Sequence, residues 1–115
     1  MTQGPEFKLN GRIWIETDQG RLIGPGRVEL LERIQASGSI RQAALQMKMS
    51  YRQAWDLIKD MNERLELPVV ISTRGGKGGG NAQVTEKGLT VISQYHLLCE
   101  KFQEFLNENH KLINI

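Results

Sequence analysis

Residues 39–59 read SIRQAALQMKMSYRQAWDLIK, and this stretch decides the fold. Two serines in it each stand three residues before a glutamine: Ser39 before Gln42, and Ser50 before Gln53. This is the capping-box pattern, in which the serine oxygen and the glutamine side chain each accept a hydrogen bond from a backbone N–H at a helix start. Two helix starts eleven residues apart predict a short helix, a tight turn and a second helix. That geometry is typical of a helix-turn-helix, which sets its second helix in a groove of DNA.

Both predicted helices have one apolar face. The apolar positions recur at helical spacing, at Ile40, Ala43, Ala44 and Met47 in the first helix and at Ala54, Ile58, Met61 and Leu65 in the second. The alanines are small enough to let the two helices approach closely. Pro68 is expected to stop the second helix, so the predicted helix-turn-helix spans residues 39–66.

A hairpin is predicted to follow the second helix. Residues 69–73 (VVIST) and 82–85 (AQVT) have the composition of strands, and the loop between them reads RGGKGGG. Residues 69–85 are therefore expected to form a wing.

Thr85 can cap a last helix over residues 86–108. Its apolar stripe is wider than a small core readily covers, so we expect this helix to pair with a second copy of the chain. The residues expected at that dimer interface are Leu89, Ile92, Tyr95, Cys99, Phe102 and Leu106, with Val91, Leu98 and Phe105 widening the stripe.

The part of the chain before the motif is predicted to form a hairpin and one helix. Residues 7–15 carry β-favouring side chains, and Asp18-Gln19-Gly20 reads as a tight turn into a short returning strand over residues 21–23. A helix is expected from Arg27 to Gly38, where a left-handed residue is needed.

The composition is that of an ordinary globular chain of 115 residues, with 39% hydrophobic and 24% charged residues, and a single domain over residues 1–115 is expected. No apolar run reaches the roughly 20 residues that span a bilayer, and no signal peptide is recognisable. The single cysteine, Cys99, excludes an intrachain disulfide and is typical of a reducing compartment. We therefore expect a cytoplasmic protein with no membrane partner.

Positive charge is concentrated on the predicted helix-turn-helix and wing. Residues 1–38 hold five basic and five acidic side chains, for a net charge of zero. Residues 39–85 hold seven basic and four acidic side chains, for +3, and residues 86–115 hold three and four, for −1. The small surplus lies where phosphate contacts would require it.

The second helix supplies most of the candidate DNA-binding residues. Tyr51, Arg52, Gln53, Asp56 and Lys59 remain exposed once the apolar stripe is buried. Arg52 can bind guanine through O6 and N7, and Gln53 can bind adenine if the cap does not hold it. Tyr51 and Lys59 suit phosphate contacts. Asp56 is expected either to point at bases or to hold Arg52 in place.

Neighbouring positions extend this surface. Ser50 begins the second helix, whose free N–H groups favour a phosphate, and Arg41 and Gln42 can contact phosphate from the first helix. The alternative for Arg41 and Lys59 is a merely solvated face. Trp55 either packs against the first helix or the wing, or contacts a base or sugar.

The glycine-rich loop has two functional interpretations. As a wing tip, it would place Arg74 and Lys77 over the minor groove or the phosphate backbone. A phosphate-binding loop of nucleotide enzymes would need Gly-x-x-x-x-Gly-Lys-Ser/Thr at a helix start. Here Gly78 follows Lys77 and a strand follows the loop, so the nucleotide interpretation fails. A hairpin tip without function is the remaining alternative.

No catalytic or metal constellation is recognisable. His96 and Cys99 share a helix face, but two ligands do not make a zinc site, and a structural cysteine is the ordinary interpretation. No nucleophile–base pair or carboxylate cluster is present in the sequence. We therefore expect a protein that is not an enzyme and binds no metal.

The motifs together resemble one family. The strings GSIRQAA over residues 38–44, SYRQAWD over residues 50–56 and GGKGGG over residues 75–80 are similar to the N-terminal DNA-binding domain of the molybdate-responsive transcriptional regulators of the ModE type, relatives of the LysR-type winged helix. The resemblance covers nearly the whole chain. It implies a mainly α fold with small β content: a winged helix-turn-helix with an N-terminal hairpin and a long C-terminal dimerisation helix. It also implies a bacterial-type regulator that binds a palindromic operator on double-stranded DNA as a homodimer.

Full-length members of this family hold molybdate in C-terminal oxyanion-binding domains, and nothing in this chain corresponds to them. We therefore expect no cofactor. A stand-alone form and a fragment both stay open, and so do control by a ligand at the dimer interface, by a separate sensor protein or by abundance. The alternative function is a winged-helix module that docks protein partners without its own DNA site.

Overall fold

The computed structural model describes residues 4–73 and 81–115 and shows a winged helix-turn-helix. The elements in chain order are β1 (Ile15–Thr17), β2 (Gly20–Ile23), α1 (Pro25–Ser37), α2 (Ile40–Gln46), α3 (Tyr51–Arg64), β3 (Val70–Thr73), β4 (Asn81–Val84), α4 (Glu86–Asn109) and a 3₁₀ turn at His110–Leu112. Both pairs of strands are antiparallel two-stranded sheets. The predicted fold class, mainly α with small β content, is confirmed.

The N-terminal hairpin is shorter than the sequence predicted. β1 begins at Ile15, which pairs with Ile23, the last residue of β2, and residues 7–14 are not a strand. Residues 7–14 instead run along α4, where the Tyr95 hydroxyl donates to the Ile13 carbonyl at 2.8 Å. The strand prediction from residue 7 was therefore wrong. The partner strand ends at Ile23, because α1 begins two residues later.

The first helix begins at Pro25, two residues earlier than predicted. Proline fits the first turn because its ring fixes a helical φ and its missing N–H would have no partner there. The helix ends as predicted at Gly38, which has φ +72° and donates its N–H to the Ile34 carbonyl at 2.7 Å.

The two predicted capping boxes have different outcomes. Ser50 and Gln53 form a complete box at the start of α3. Ser39 accepts a hydrogen bond from the Gln42 N–H, but its own N–H donates to the Ser37 hydroxyl and not to the Gln42 side chain. The nearby serine hydroxyl therefore replaces the glutamine, and the first box is only half formed.

The turn between α2 and α3 and the end of α3 have local causes. Lys48 adopts the left-handed conformation, with φ +55°, and so reverses the chain within the short turn.

α3 ends at Arg64, before Pro68, which corrects the expectation that the proline stops it. The side-chain amide of Asn62 accepts from the Val69 N–H at 2.8 Å and donates to the Val70 carbonyl at 3.0 Å. These bonds fold the chain back and start β3.

The wing is fastened to the helices at both strands. The Thr85 hydroxyl donates to the Pro68 carbonyl at 2.6 Å and accepts from the Gly88 N–H at 3.0 Å, so one side chain caps α4 and ties it to the start of β3. The Ala82 N–H in β4 donates to the Gly38 carbonyl at 2.9 Å.

The core lies around α1, which packs against α2, α4 and β4. Its largest fully buried side chains are Val28, Leu30, Leu31, Ile34, Ile58, Met61 and Val69. α4 is the longest helix, with 24 residues. Within the described ranges, no helix has both the length and the apolar character needed to cross a membrane.

We expect Gly88→Ala to destabilise the fold by about 1–3 kcal/mol, the cost of overpacking a core position. A Cβ at Gly88 would lie 2.6 Å from Val84 Cγ1 and closer still to the Val69 carbonyl oxygen. Gly26→Ala is the matched control: a Cβ there meets nothing within 4 Å, so alanine should stabilise α1 by up to about 1 kcal/mol. Urea unfolding of both variants tests this expectation, and equal stability of the two would contradict it.

Candidate nucleic-acid interface

α3 presents one face to the core and another to solvent. Ala54, Ile58 and Met61 are at most 1% exposed, as the predicted stripe requires, and Leu65 is partly buried against the core. The exposed side carries a shallow depression lined by Tyr51, Arg52, Trp55, Asp56 and Lys59. The helix periodicity therefore correctly predicted which residues of α3 share the free surface.

Gln53 is engaged at the helix start. Its Oε1 accepts from the Ser50 N–H at 3.1 Å, and the Ser50 hydroxyl accepts from the Gln53 N–H at 3.0 Å. Gln53 was predicted to bind adenine only if its side chain is not held in the helix cap. Since the cap holds it, Ser50 and Gln53 serve to orient the N-terminus of α3.

Arg41 joins the starts of α2 and α3. Its guanidinium carbon lies 4.9 Å from the ring centroid of Tyr51, within the range of a cation–π contact. Gln42 is exposed beside it, and its backbone N–H donates to Ser39. A positive charge predicted to meet phosphate is thereby held next to the N-terminus of α3.

The charged groups on the outer side of α3 are largely unpaired. Within the described ranges, Arg52 and Asp56 form no hydrogen bond or ion pair, with each other or with a third residue. The suggestion that Asp56 holds Arg52 is therefore not met, and the alternative that Asp56 points at bases stays a prediction. Lys59 lies 4.0 Å from Glu63, with both side chains 66% exposed, and such a pair contributes little.

The inner flank of α3 carries an ion-pair cluster that the sequence analysis missed. The Asp60 carboxylate accepts from Arg27 at 2.6 Å and from Arg64 at 2.9 Å. Arg64 also donates to the Thr17 hydroxyl and to the Gly20 and Arg21 carbonyls, so it ties α3 to the N-terminal hairpin. Hydrogen bonds from Arg64 and then Arg27 hold the pKa of Asp60 below its ordinary value of 3.8. The i, i+4 spacing of Asp60 and Arg64 was the only sequence signal for the cluster.

The two strands of the wing lie beside this surface and pair in a regular register. β3 and β4 pair in register from Val70 opposite Val84 to Thr73 opposite Asn81. The predicted wing residues Arg74 and Lys77 lie outside the described residues.

The residues predicted at a dimer interface divide into two groups. Ile92, Tyr95 and Leu106 are buried within the chain, and Cys99 and Phe102 are partly buried. Their cover is partly the segment over residues 7–14, which the sequence had assigned to a strand. Burial raises the pKa of Tyr95 to about 12, with a smaller contribution from the neighbouring Cys99. The exposed apolar side chains of α4 are Leu89, Leu97, Leu98 and Phe105.

The histidine and cysteine of α4 are not brought together with further ligands. His96 faces Glu32 of α1, with Nε2 3.1 Å from the carboxylate. Among residues 4–73 and 81–115, no group of three or more His, Cys, Asp or Glu side chains is placed to hold a metal ion.

Comparison with known proteins identifies relatives of this chain. The molybdenum transport protein ModE of Azotobacter vinelandii is 35% identical over 103 residues, which are 90% of this chain and 38% of that protein. The DNA-binding transcriptional dual regulator ModE of Escherichia coli is 41% identical over 88 residues, 76% of this chain and 34% of that protein. The molybdenum-pterin-binding protein MopA of Rhodobacter capsulatus is 42% identical over 76 residues, 66% of this chain and 29% of that protein. The relatives are named as regulators or transport and binding proteins.

The structural comparison supports the fold alone. The crystal structure of ArgP from Mycobacterium tuberculosis matches with a TM-score of 0.52 at 15% identity, over 73% of this chain and 30% of that one. No protein-family model matches the chain.

We expect Asp60→Asn to destabilise the protein at neutral pH by about 1 kcal/mol, a modest figure because the carboxylate is 38% exposed. Since the folded pKa of Asp60 is depressed, its contribution is complete above the ordinary value of 3.8 and is lost as the pH falls through the folded pKa. Unfolding measured between about pH 7 and pH 2 should show the difference shrinking. Glu63→Gln, which removes an exposed carboxylate of the same helix, is the control. A pH-independent Asp60→Asn difference would contradict the assignment.

Proposed function

Since the chain belongs to the ModE-type family of regulators, we propose that it binds double-stranded DNA sequence-specifically through α3. The chain spans about a third of the length of the family members compared above. The observation that carries the proposal is the exposed side of α3, where polar side chains cluster on a helix that the core holds in place, and where Arg52 and Asp56 have no partner among the described residues. A helix-turn-helix presents this part of its second helix to base edges in the major groove.

Each exposed group of α3 has a distinct role in this proposal. Arg52, free of a protein partner within the described ranges, binds guanine O6 and N7 through two parallel hydrogen bonds. Lys59 and the Tyr51 hydroxyl contact phosphates, which fix register without reading sequence. Asp56 is repelled by phosphate and accepts from a cytosine amino group.

Phosphate contacts also come from groups around the start of α3. Arg41, stacked over Tyr51, supplies a fixed positive charge beside the helix N-terminus. Arg74 and Lys77 of the wing extend the contact to the neighbouring minor groove. These contacts supply the salt-dependent part of the affinity.

Two copies of the chain are proposed to bind an inverted repeat. The exposed apolar side chains of α4 that are available for pairing are Leu89, Leu97, Leu98 and Phe105, which are 40–54% exposed. Two-fold pairing of the protein requires a palindromic site with the two α3 helices about 34 Å apart along the DNA. We still predict that this chain binds no cofactor. Control by a separate sensor protein also stays a prediction.

The exposed aromatic residues favour one alternative. Tyr51 and Trp55 are each 41% exposed on the same face, and aromatic side chains are also typical of protein-docking surfaces. Selection of random DNA duplexes by the purified protein, followed by sequencing, separates the two functions. Enrichment of an inverted repeat supports DNA recognition. Uniform or absent retention would instead favour a protein-docking module.

We expect Arg52→Ala to weaken binding to the selected site by about 1–3 kcal/mol and to relax the preference at one base position. Lys59→Ala should weaken binding to all sequences alike and reduce the salt slope by about 1. Lys101→Ala removes the same charge from an exposed position of α4 and serves as control. Titrations over a range of salt concentrations measure these effects, and an unchanged base preference in Arg52→Ala would reject its role.

A further inference from the structure

Trp55 is a large side chain of the α3 depression for which the proposed function has no use. Its side chain is 41% exposed, although tryptophan is a residue that proteins usually bury. It follows Arg52 by three residues and precedes Lys59 by four, so the three side chains lie along the same side of the helix. Any DNA that occupies the depression and meets Arg52 also meets Trp55.

The other side of the indole borders a second depression. A second shallow depression is lined by Trp55 together with Ile40 of α2, Ile58 of α3 and Val70 and Ile71 of β3. Trp55 thus stands between the depression next to the wing and the depression of Arg52, and its exposed edge is open to a ligand.

The indole N–H is also free for a ligand. Within residues 4–73 and 81–115, Trp55 Nε1 makes no hydrogen bond. The other tryptophan differs: Trp14 Nε1 donates to Glu16 at 2.7 Å, and its ring lies 3.7 Å from the Arg21 guanidinium. The exposed edge of Trp55 therefore combines apolar carbon with one unused donor.

This combination matches one base edge in the major groove. Thymine alone presents a C5-methyl group in the major groove, and beside it the O4 acceptor. We propose that Trp55 reads the C5-methyl group of a thymine close to the base bound by Arg52. The inference rests on the proposed function, because it assigns part of the same DNA site. A phosphate contact would leave the apolar edge of the ring without a partner.

The test uses the DNA sequence recovered from the selection described above, with each thymine replaced in turn by deoxyuridine. This replacement removes one methyl group and keeps O4 and the base pair. We expect the wild-type protein to lose about fourfold in affinity at one position of a half-site, as for one buried methyl group. Trp55→Ala should bind more weakly and no longer distinguish thymine from deoxyuridine at that position.

Two further variants make the outcome decisive. Trp55→Gln keeps a long side chain beside Ile40 and Val70 and replaces the ring with a polar amide, so it carries the same expectation if Trp55→Ala does not fold. Leu112→Ala removes an exposed apolar side chain from the 3₁₀ turn that follows α4, outside the proposed DNA and pairing surfaces, and should retain the full thymine preference.

Each result then has one meaning. A thymine preference in the wild type that both Trp55 variants lose supports the inference. A preference that persists in a folded Trp55 variant, or no preference at any position of a selected site, overturns it while DNA recognition stands. If the selection recovers no site, the proposed function fails, and the inference fails with it.

Discussion

The side-chain amide of Asn62 fixes the relation between α3 and the wing. It accepts from Val69 and donates to Val70, as a neighbouring strand would, and so starts β3 six residues after the end of the helix. The elements that follow depend on this reversal, because β4 pairs with β3 and Thr85 then ties the start of α4 to Pro68. These two hydrogen bonds therefore help to fix the shape of a candidate DNA-binding surface that includes both α3 and β3.

Local signals predicted the fold well where a few residues decide the structure. Gly38 ends α1 in the left-handed conformation, and Ser50 with Gln53 starts α3, because both features depend only on neighbours along the helix. Residues 7–14 were mispredicted for the opposite reason. Their β-favouring composition is local, but the contact of Ile13 with Tyr95 joins residues 82 positions apart, and among the described residues no strand pairs with residues 7–14.

In the candidate site too, local sequence predicted some features, while others depend on contacts between distant residues. Periodicity identified which side chains of α3 are exposed, since burial of Ala54, Ile58 and Met61 determines the rest by geometry. It could not decide between two uses of one group: Gln53 suited both a cap and adenine, and only the structure shows it in the cap. The Arg27–Asp60 pair, whose members are 33 positions apart along the chain, has no local signal at all.

The neighbours of each arginine and lysine in the helix-turn-helix, more than the number of these residues, determine which of them can contact phosphate. Arg64 is 11% exposed and directed into Asp60 and the N-terminal hairpin, so it cannot also meet phosphate. Arg41, Arg52 and Lys59 stay outside, and of these only Lys59 has a carboxylate within 4.0 Å among the described residues. A net charge of +3 over residues 39–85 therefore understates the asymmetry of the surface. Asp60 holds the guanidinium groups of Arg27 and Arg64 on the inner flank, so the cations left free to meet a polyanion are those on the side where α3 faces outward.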